Sequence, residues 1–347
     1  MKLLIVTQKI DQSDQLLGFF LSWIEKLAQK FEKVSVVCLE KREFSLPDNV
    51  TVFSLGKERG FKKLKQFFNF YFLIYKLRKE YQAVLVHMNP IWVVLGGLCW
   101  RLMDKKNYLW YTSGGVTFKL KLAEKLTHVI LTASQESFRV PSKKVIVTGH
   151  GIDTNFFGPK TDYRPLTIDY RLKILTVGRI APVKNYETLI EAAKILAERQ
   201  LPFEVTIIGE APRLEDKKYE LEIRNKIKEF GLENYFKFLG KIEHSNLLSF
   251  YQSHNLFVHL SKTGSLDKSL LEAMASGIKV LSSNDWSRNN LPPELTFNEN
   301  DPLELVNKIQ SASQTDFREQ LRNYVVKNHN LDSLIEKISK IIHEKNY

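Results

Sequence analysis

Cysteine is scarce in this chain. Only Cys38 and Cys99 occur among 347 residues, and no Cys-x-x-Cys pair is present. That excludes a disulfide framework or a cysteine-rich metal site and fits a reducing compartment. Long apolar runs are also missing. The most apolar internal stretch, Ile91–Trp100, is too short to span a bilayer, which takes about 20 apolar residues as a helix. The amino terminus, M-K-L-L-I-V-T-Q-K-I, is too short for a signal peptide and reads as a first core strand. Acidic residues are under-represented: 39 Asp and Glu face 51 Lys and Arg, a formal charge of +12. This deficit favours anionic partners, whether nucleotides, phospholipid head groups or nucleic acid, without choosing among them. The eight histidines are scattered and form no H-E-x-x-H, and no G-x-G-x-x-G follows the first strand. A metalloprotease or a nicotinamide dehydrogenase is therefore not indicated.

What is present is a steady alternation of strand and helix patterns. The first half reads as strands at Lys2–Thr7, Val34–Leu39, Thr51–Leu55, Ala83–His87 and Asn107–Tyr111, with helices at Leu16–Phe31, Gly60–Glu80 and Ile91–Met103. A polar, proline-containing stretch, Gly158–Tyr170, reads as a linker. The second half repeats the alternation, from Lys173–Val177 to Lys279–Ser282, and ends in helical patterns up to Leu331–Glu344. The expected class is α/β: two doubly wound, Rossmann-like domains facing a cleft, residues 1–165 and 166–330, with the helix in 331–347 packing back on the first.

Two stretches carry chemistry. Val177–Lys184, V-G-R-I-A-P-V-K, puts Arg179 and Lys184 just beyond an apolar strand, where two cations are well placed to hold a diphosphate. Ser261–Gly277, S-K-T-G-S-L-D-K-S-L-L-E-A-M-A-S-G, places backbone amides and then Glu272 at a helix start, a setting that suits an anion and a sugar hydroxyl. Each has an ordinary alternative. Arg179 can be merely solvated, and Leu270–Ala275 can be a buried helix with small residues for close packing.

The order and spacing of these pieces resemble a retaining glycosyltransferase of family 4, with the two-domain GT-B fold. The matching segments are V-G-R-I-A-P-V-K-N-Y-E-T-L-I-E-A-A, V-T-I-I-G-E, K-F-L-G-K-I and the S-K-T-G-S-L-D-K-S-L-L-E-A-M-A-S-G block. The junction G-H-G-I-D-T-N-F-F is similar to the family's G-[IV]-D-x-x-x-F. The likeness is specific in the carboxyl half and weaker in the amino half. It implies that Gly178, Arg179, Lys184 and Gly209 surround the donor diphosphate, with Arg179 and Lys184 neutralising the leaving group. It further implies that Glu272 takes the ribose hydroxyls, that Gly264, Ser265, Leu266, Asp267 and Lys268 face the phosphate and the hexose, and that Lys241 and Ile242 lie against the base. Gly18 matches the glycine of the first loop. Two departures stand out. The first acid of the family's E-x7-E falls on Gly264, and Ser113 sits where a histidine is common, leaving His87 as the candidate polar group in the cleft, or simply a hydrogen-bonded strand-end histidine.

The resemblance implies a hexosyltransferase that moves sugar from a nucleoside-diphosphate sugar to a hydroxyl of a glycan or lipid-linked acceptor, with retention and without cofactor or metal. The absence of a D-x-D motif agrees with metal independence. A catalytically degenerate homologue and a nucleotide-sugar epimerase remain as alternatives. The basic, aromatic segment Phe61–Tyr81 is either an ordinary sheet-covering helix or a contact with anionic membrane. In the second case Lys62, Lys63 and Lys65 face head groups, with Phe67, Phe68 and Tyr71 near the acyl boundary. Nucleic acid is not an expected partner. The expected location is cytoplasmic, at the inner face of the membrane if that contact is made.

Overall fold

The computed structural model describes residues 1–14, 16–160, 171–312 and 315–344. The chain forms two compact units, Met1–Gly151 with Leu331–Tyr347, and Ile152–Asn330. The first contains strands β1 (Lys2–Ile10), β2 (Lys33–Lys41), β3 (Val50–Ser54), β4 (Ala83–His87), β5 (Lys106–Trp110), β6 (Val129–Thr132) and β7 (Val145–Val147), with helices α1 (Phe20–Ala28), α2 (Lys63–Lys76), α3 (Ile91–Leu102) and α4 (Phe118–Leu126). The second contains β8 (Leu172–Val177), β9 (Phe203–Ile208), β10 (Phe236–Gly240), β11 (Leu256–His259) and β12 (Lys279–Ser282). Its helices are α5 (Tyr186–Glu198), α6 (Leu214–Glu229), α7 (Leu247–Ser253), α8 (Lys268–Ala275), α9 (Asp285–Asn290), α10 (Pro302–Ser311) and α11 (Arg318–His329). A last helix, α12 (Leu331–Glu344), returns to the first unit.

Both sheets are parallel throughout, with strand orders β3-β2-β1-β4-β5-β6-β7 and β10-β9-β8-β11-β12. Helices cover both faces, so strands must be apolar on both sides, and β1 shows how this is met. Leu3 and Ile5 enter a core with Trp23 of α1 and Leu334 and Ile338 of α12. Leu4 and Val6 enter the opposite core with Phe70 of α2, Trp100 of α3 and Leu120 of α4. In the second unit Ile174 joins Leu189 and Val306 on one face, while Leu175 joins Leu271 and Met274 on the other. The expected α/β, doubly wound class is the fold observed. Strand order reverses between β1 and β4 and again between β8 and β11, and in such sheets ligands collect beyond the strand ends at these reversals.

The units divide at Gly151 and Ile152, ahead of the boundary expected near residue 165. Ile152 belongs to the second unit because its amide donates to the His329 carbonyl (2.6 Å) and it bridges Asn330. Phe157 is buried in the second core, and Gln252 Nε2 donates to the Gly158 carbonyl at 2.8 Å. The rest of the expected linker, residues 161–170, lies outside the described residues. No described helix is long and apolar enough to cross a membrane.

Candidate functional site

At the reversal in the second unit, the turn after β8 carries Gly178, Arg179 and Lys184. Cross-strand bonds tie the strand ends together: Gly178 N to Ile208 O (2.9 Å), Gly209 N to Gly240 O (2.8 Å) and Ile180 N to Glu210 O (3.0 Å). Gly209 sits so close to the first turn that a Cβ there would lie 1.8 Å from the Gly178 carbonyl oxygen. No side chain fits against a backbone atom at that range, which explains the glycine. A Cβ on Gly178 would come within 3.1 Å of Lys184 Cε, so the bare backbone lets the lysine stem cross it. Arg179 is partly exposed and has no ion-pair partner among the described residues. Asn185, next to Lys184, takes a left-handed φ of 49°, which asparagine tolerates better than most residues.

The turn after β11 is joined to this one by Lys262 N to Val183 O at 2.8 Å. Lys184 Nζ meets Asp267 Oδ2 at 2.5 Å, and His259 Nε2 meets the same oxygen at 2.9 Å. A carboxylate only accepts, so His259 carries its proton on Nε2, and its Nδ1 accepts from Ser282 Oγ at 3.0 Å. Ser287 Oγ in turn donates to Ser282 Oγ at 2.7 Å. Burial pushes the Asp267 carboxyl up, but the Lys184 charge and the His259 bond outweigh it and hold the group far below its ordinary value. Burial lowers His259, against the pull of Asp267, and keeps it neutral. Gly264, at the position of the missing first acid, has a φ of 67°. That left-handed conformation is costly for a side-chain-bearing residue. Ser265 and Leu266 are buried, and the Ser265 carbonyl accepts from Asn284 Nδ2 at 2.8 Å.

One helical turn on, Glu272 is 3% exposed. Its Oε1 accepts from Lys268 Nζ and lies 2.7 Å from His244 Nε2, while Tyr251 OH donates to Oε2 at 3.2 Å. Burial raises this carboxyl, but the charges of Lys268 and His244 outweigh it and leave the group at about 2. Burial lowers Lys268, against the pull of Glu272. Both acids at the head of α8 are thus engaged by lysines of this chain. Lys241 is exposed, and Ile242 packs partly buried at the edge of the core. The structure therefore gathers Gly178, Arg179, Lys184, Gly209 and Gly264–Lys268 around one reversal, with Glu272 buried behind them. His259, His244 and Tyr251 join the cluster. Their local sequence is ordinary, and only the pairing of β11 with β8 reveals His259.

Gly18 and His87 belong to the reversal in the first unit. Gly18 N donates to Asp14 O at 2.8 Å, and a Cβ there would sit 2.5 Å from that oxygen. The glycine is needed by its own turn. His87 is 1% exposed, stacked on Phe20 (ring centroids 3.7 Å) and facing Trp110 (5.5 Å), with Nδ1 3.2 Å from Thr7 Oγ1. Burial, aided by the nearby His150, lowers it to about 3. Buried between Phe20 and Trp110 in this packing, the His87 ring lends no support to a catalytic role. Among the described residues no group of three or more His, Cys, Asp or Glu side chains is placed to hold a metal ion.

Two doubly wound parallel units, one presenting cations at its reversal, define the GT-B class of α/β protein. Residues 164–290 match the family model described as glycosyl transferases group 1, and most of that stretch falls in the second unit. Mannosylfructose-phosphate synthase of Agrobacterium fabrum is 27% identical over 158 residues, 44% of this chain and 35% of that protein. The lipopolysaccharide core biosynthesis mannosyltransferase LpsB of Rhizobium meliloti is 25% identical over 169 residues, 47% of this chain and 46% of that protein. The chain thus spans a third to a half of these curated relatives. Among solved structures, Anabaena HepE in complex with UDP-glucose shares the fold with a TM-score of 0.77 at 16% identity, covering 99% of this chain and 100% of that one. Sucrose-phosphate synthase from Thermosynechococcus elongatus gives 0.80 at 17% identity, covering 99% of each chain.

Proposed function

We propose that this protein is a retaining, metal-independent glycosyltransferase that uses a nucleoside-diphosphate sugar as donor. The observation that carries the reading is Arg179 and Lys184 together at the carboxyl end of β8, beside the head of α8, inside the segment that matches glycosyl transferases group 1. A donor diphosphate held there replaces Asp267 as the partner of Lys184. As the bond from the sugar's anomeric carbon to the diphosphate oxygen breaks, negative charge grows on that oxygen. Arg179 and Lys184 stabilise it, by about 3 kcal/mol for each well-aimed donor. The acceptor hydroxyl bonds to the anomeric carbon on the face the diphosphate leaves, and its proton passes to the departing phosphate. No protein base is needed, which suits the burial of His87. Glu272 receives the ribose hydroxyls once Lys268 or His244 gives way. The acceptor is a hydroxyl of a glycan or of a lipid-linked acceptor, and the reaction is cytoplasmic, at the inner face of the membrane if the Phe61–Tyr81 segment makes that contact.

Thermal-shift titration with UDP, GDP and ADP, followed by their common sugars, tests the donor site. One nucleotide is expected to stabilise the protein saturably, by about 2.7 kcal/mol at a hundredfold excess over Kd. Arg179→Ala and Lys184→Ala are each expected to abolish the effect. Absence of a shift with every nucleotide overturns the reading. A second reading, a non-catalytic nucleotide-sugar binder, draws on Gly264 in place of the first acid and on the lysine-occupied acids at α8. Sugar transfer that disappears in Lys184→Ala excludes it.

A further inference from the structure

The helices on one face of the first sheet form a layer whose outer side is unusually apolar. In α2, Phe70, Leu73 and Ile74 enter the core, while Leu64, Phe68, Phe72 and Tyr75 recur at helical-turn spacing on the opposite side, all exposed. Of the side chains expected to face lipid, Tyr71 turns inward, its OH bonded to the Leu95 carbonyl at 3.0 Å, and Phe67 is less exposed than Phe68 or Phe72. The neighbouring helix α3 buries Trp92, Val93 and Trp100 and turns Leu98 and Leu102 outward, Leu102 being 89% exposed. Phe118, which opens α4, is 81% exposed. The helices are fastened side by side: Tyr71 to Leu95 joins α2 to α3, and Arg101 donates to the Lys125 carbonyl at 2.9 Å between α3 and α4. More than half of the large exposed apolar side chains among the described residues lie in or beside this one layer. Single exposed apolar residues are ordinary, but such a concentration marks an interaction surface.

Charge identifies the occupant. No acidic residue occurs between Phe61 and Lys79, a stretch that holds Lys62, Lys63, Lys65, Lys76, Arg78 and Lys79. Several of these cations lie over the aromatic rings: Lys65 Nζ is 3.4 Å from the Phe61 centroid, and Arg78 is 4.0 Å from that of Tyr75. A second copy of the chain would set these cations against one another, which opposes self-pairing. A bilayer with anionic head groups satisfies both features at once, taking the rings at the acyl boundary and the cations among phosphates. We propose that the outer face of α2, α3 and the start of α4 docks on an anionic lipid surface. The proposal stands apart from Arg179 and Lys184, which lie in the second unit.

The test is co-sedimentation of the full chain with phosphatidylcholine vesicles, with and without phosphatidylglycerol. Binding is expected only with the anionic lipid and is expected to weaken steeply as salt rises. The pair Phe68→Ser and Phe72→Ser, and separately Leu102→Ser, are expected to lower the partition coefficient about tenfold, following loss of buried apolar area. Leu214→Ser, on an exposed helix of the second unit, should leave it unchanged. The melting point of each variant is compared with the parent, and Leu102→Ser guards against misfolding, since that side chain packs on little. The proposal is overturned if the parent stays in the supernatant with anionic vesicles, or if the substitutions leave partition unaltered. It is also overturned if sedimentation velocity shows self-association that the same substitutions abolish, which would make this face a protein interface.

Discussion

Asp267 holds Lys184, one of the two cations proposed to grip a donor diphosphate. Its carboxylate is 2.5 Å from Lys184, and the neutral His259 donates to the same oxygen. A diphosphate that binds Lys184 must therefore displace a carboxylate that already matches it in charge. Asp267→Asn removes that competitor and keeps the shape of the side chain. Calorimetric titration is expected to show tighter binding of the free nucleoside diphosphate, by about tenfold, or about 1.4 kcal/mol. The nucleotide sugar need not follow. If the displaced carboxylate turns to the hexose hydroxyls, the variant binds free diphosphate more tightly but gains less, or loses, with the sugar attached. Equal weakening toward both ligands would show that Asp267 supports Lys184 and does not compete for it. Gly264 adds to the argument at this scale. Its φ of 67° disfavours a side chain, so the usual position of the first acid is closed and Asp267 is the nearest acid to take its place.

At the scale of elements, the stack at the end of β4 gives a pH-dependent expectation. His87 is held at about 3 by burial, with His150 adding to it, against an ordinary 6.5. Its folded value is depressed and the neutral form is the buried one. The associated stability is therefore present above about pH 6.5 and is lost as the pH falls toward 3, because the unfolded chain takes up the proton first. The loss is about 1.4 kcal/mol per pH unit below 6.5, so about 2 kcal/mol near pH 5. His87→Phe keeps the stack on Phe20 and Trp110 but cannot titrate. Thermal melts from about pH 7.5 to 4.5 are expected to show a flatter decline for the variant. Identical slopes would mean that His87 is protonated in place without cost. The strand itself was legible from its run of apolar residues, as were β12 and α12, whose bounds match the sequence pattern. The limits of α1 were not. Its helical periodicity starts at Leu16, yet the Asp14 carboxylate captures the amides of Leu16 and Leu17 at 3.0 and 2.9 Å and delays the helix to Phe20. The short polar α9 carries no apolar rhythm to read. The cations of the candidate site were visible because they follow a strand within a few residues. The Lys184–Asp267–His259 contact was not, because it depends on which strands become neighbours.

At the scale of the whole chain, the second unit is an insertion between Gly151 and Leu331, and α12 completes the first unit from the far end of the sequence. Leu331, Leu334, Ile335, Ile338 and Ile342 are all buried in the first core beside Trp23 and Phe31. At about 2 kcal/mol for each side chain removed from water, the helix supplies on the order of 10 kcal/mol. That is comparable to the whole stability of a typical domain. The ion pairs Lys26–Asp332 and Lys30–Glu336, at 2.5 and 2.6 Å, are exposed and contribute little beside it. A chain ending at Asn330 is therefore expected to lose the cooperative folding of its first unit while the second keeps its own core. Tryptophan fluorescence separates the two, since Trp23, Trp92, Trp100 and Trp110 lie in the first unit and Trp286 in the second. The truncated chain should show red-shifted emission and lose one melting transition, yet still bind the nucleoside diphosphate, because Arg179 and Lys184 belong to the second unit. Retention of both transitions would show that the first sheet is stable without α12. Loss of nucleotide binding along with the first unit would show that the second unit cannot hold the donor site by itself.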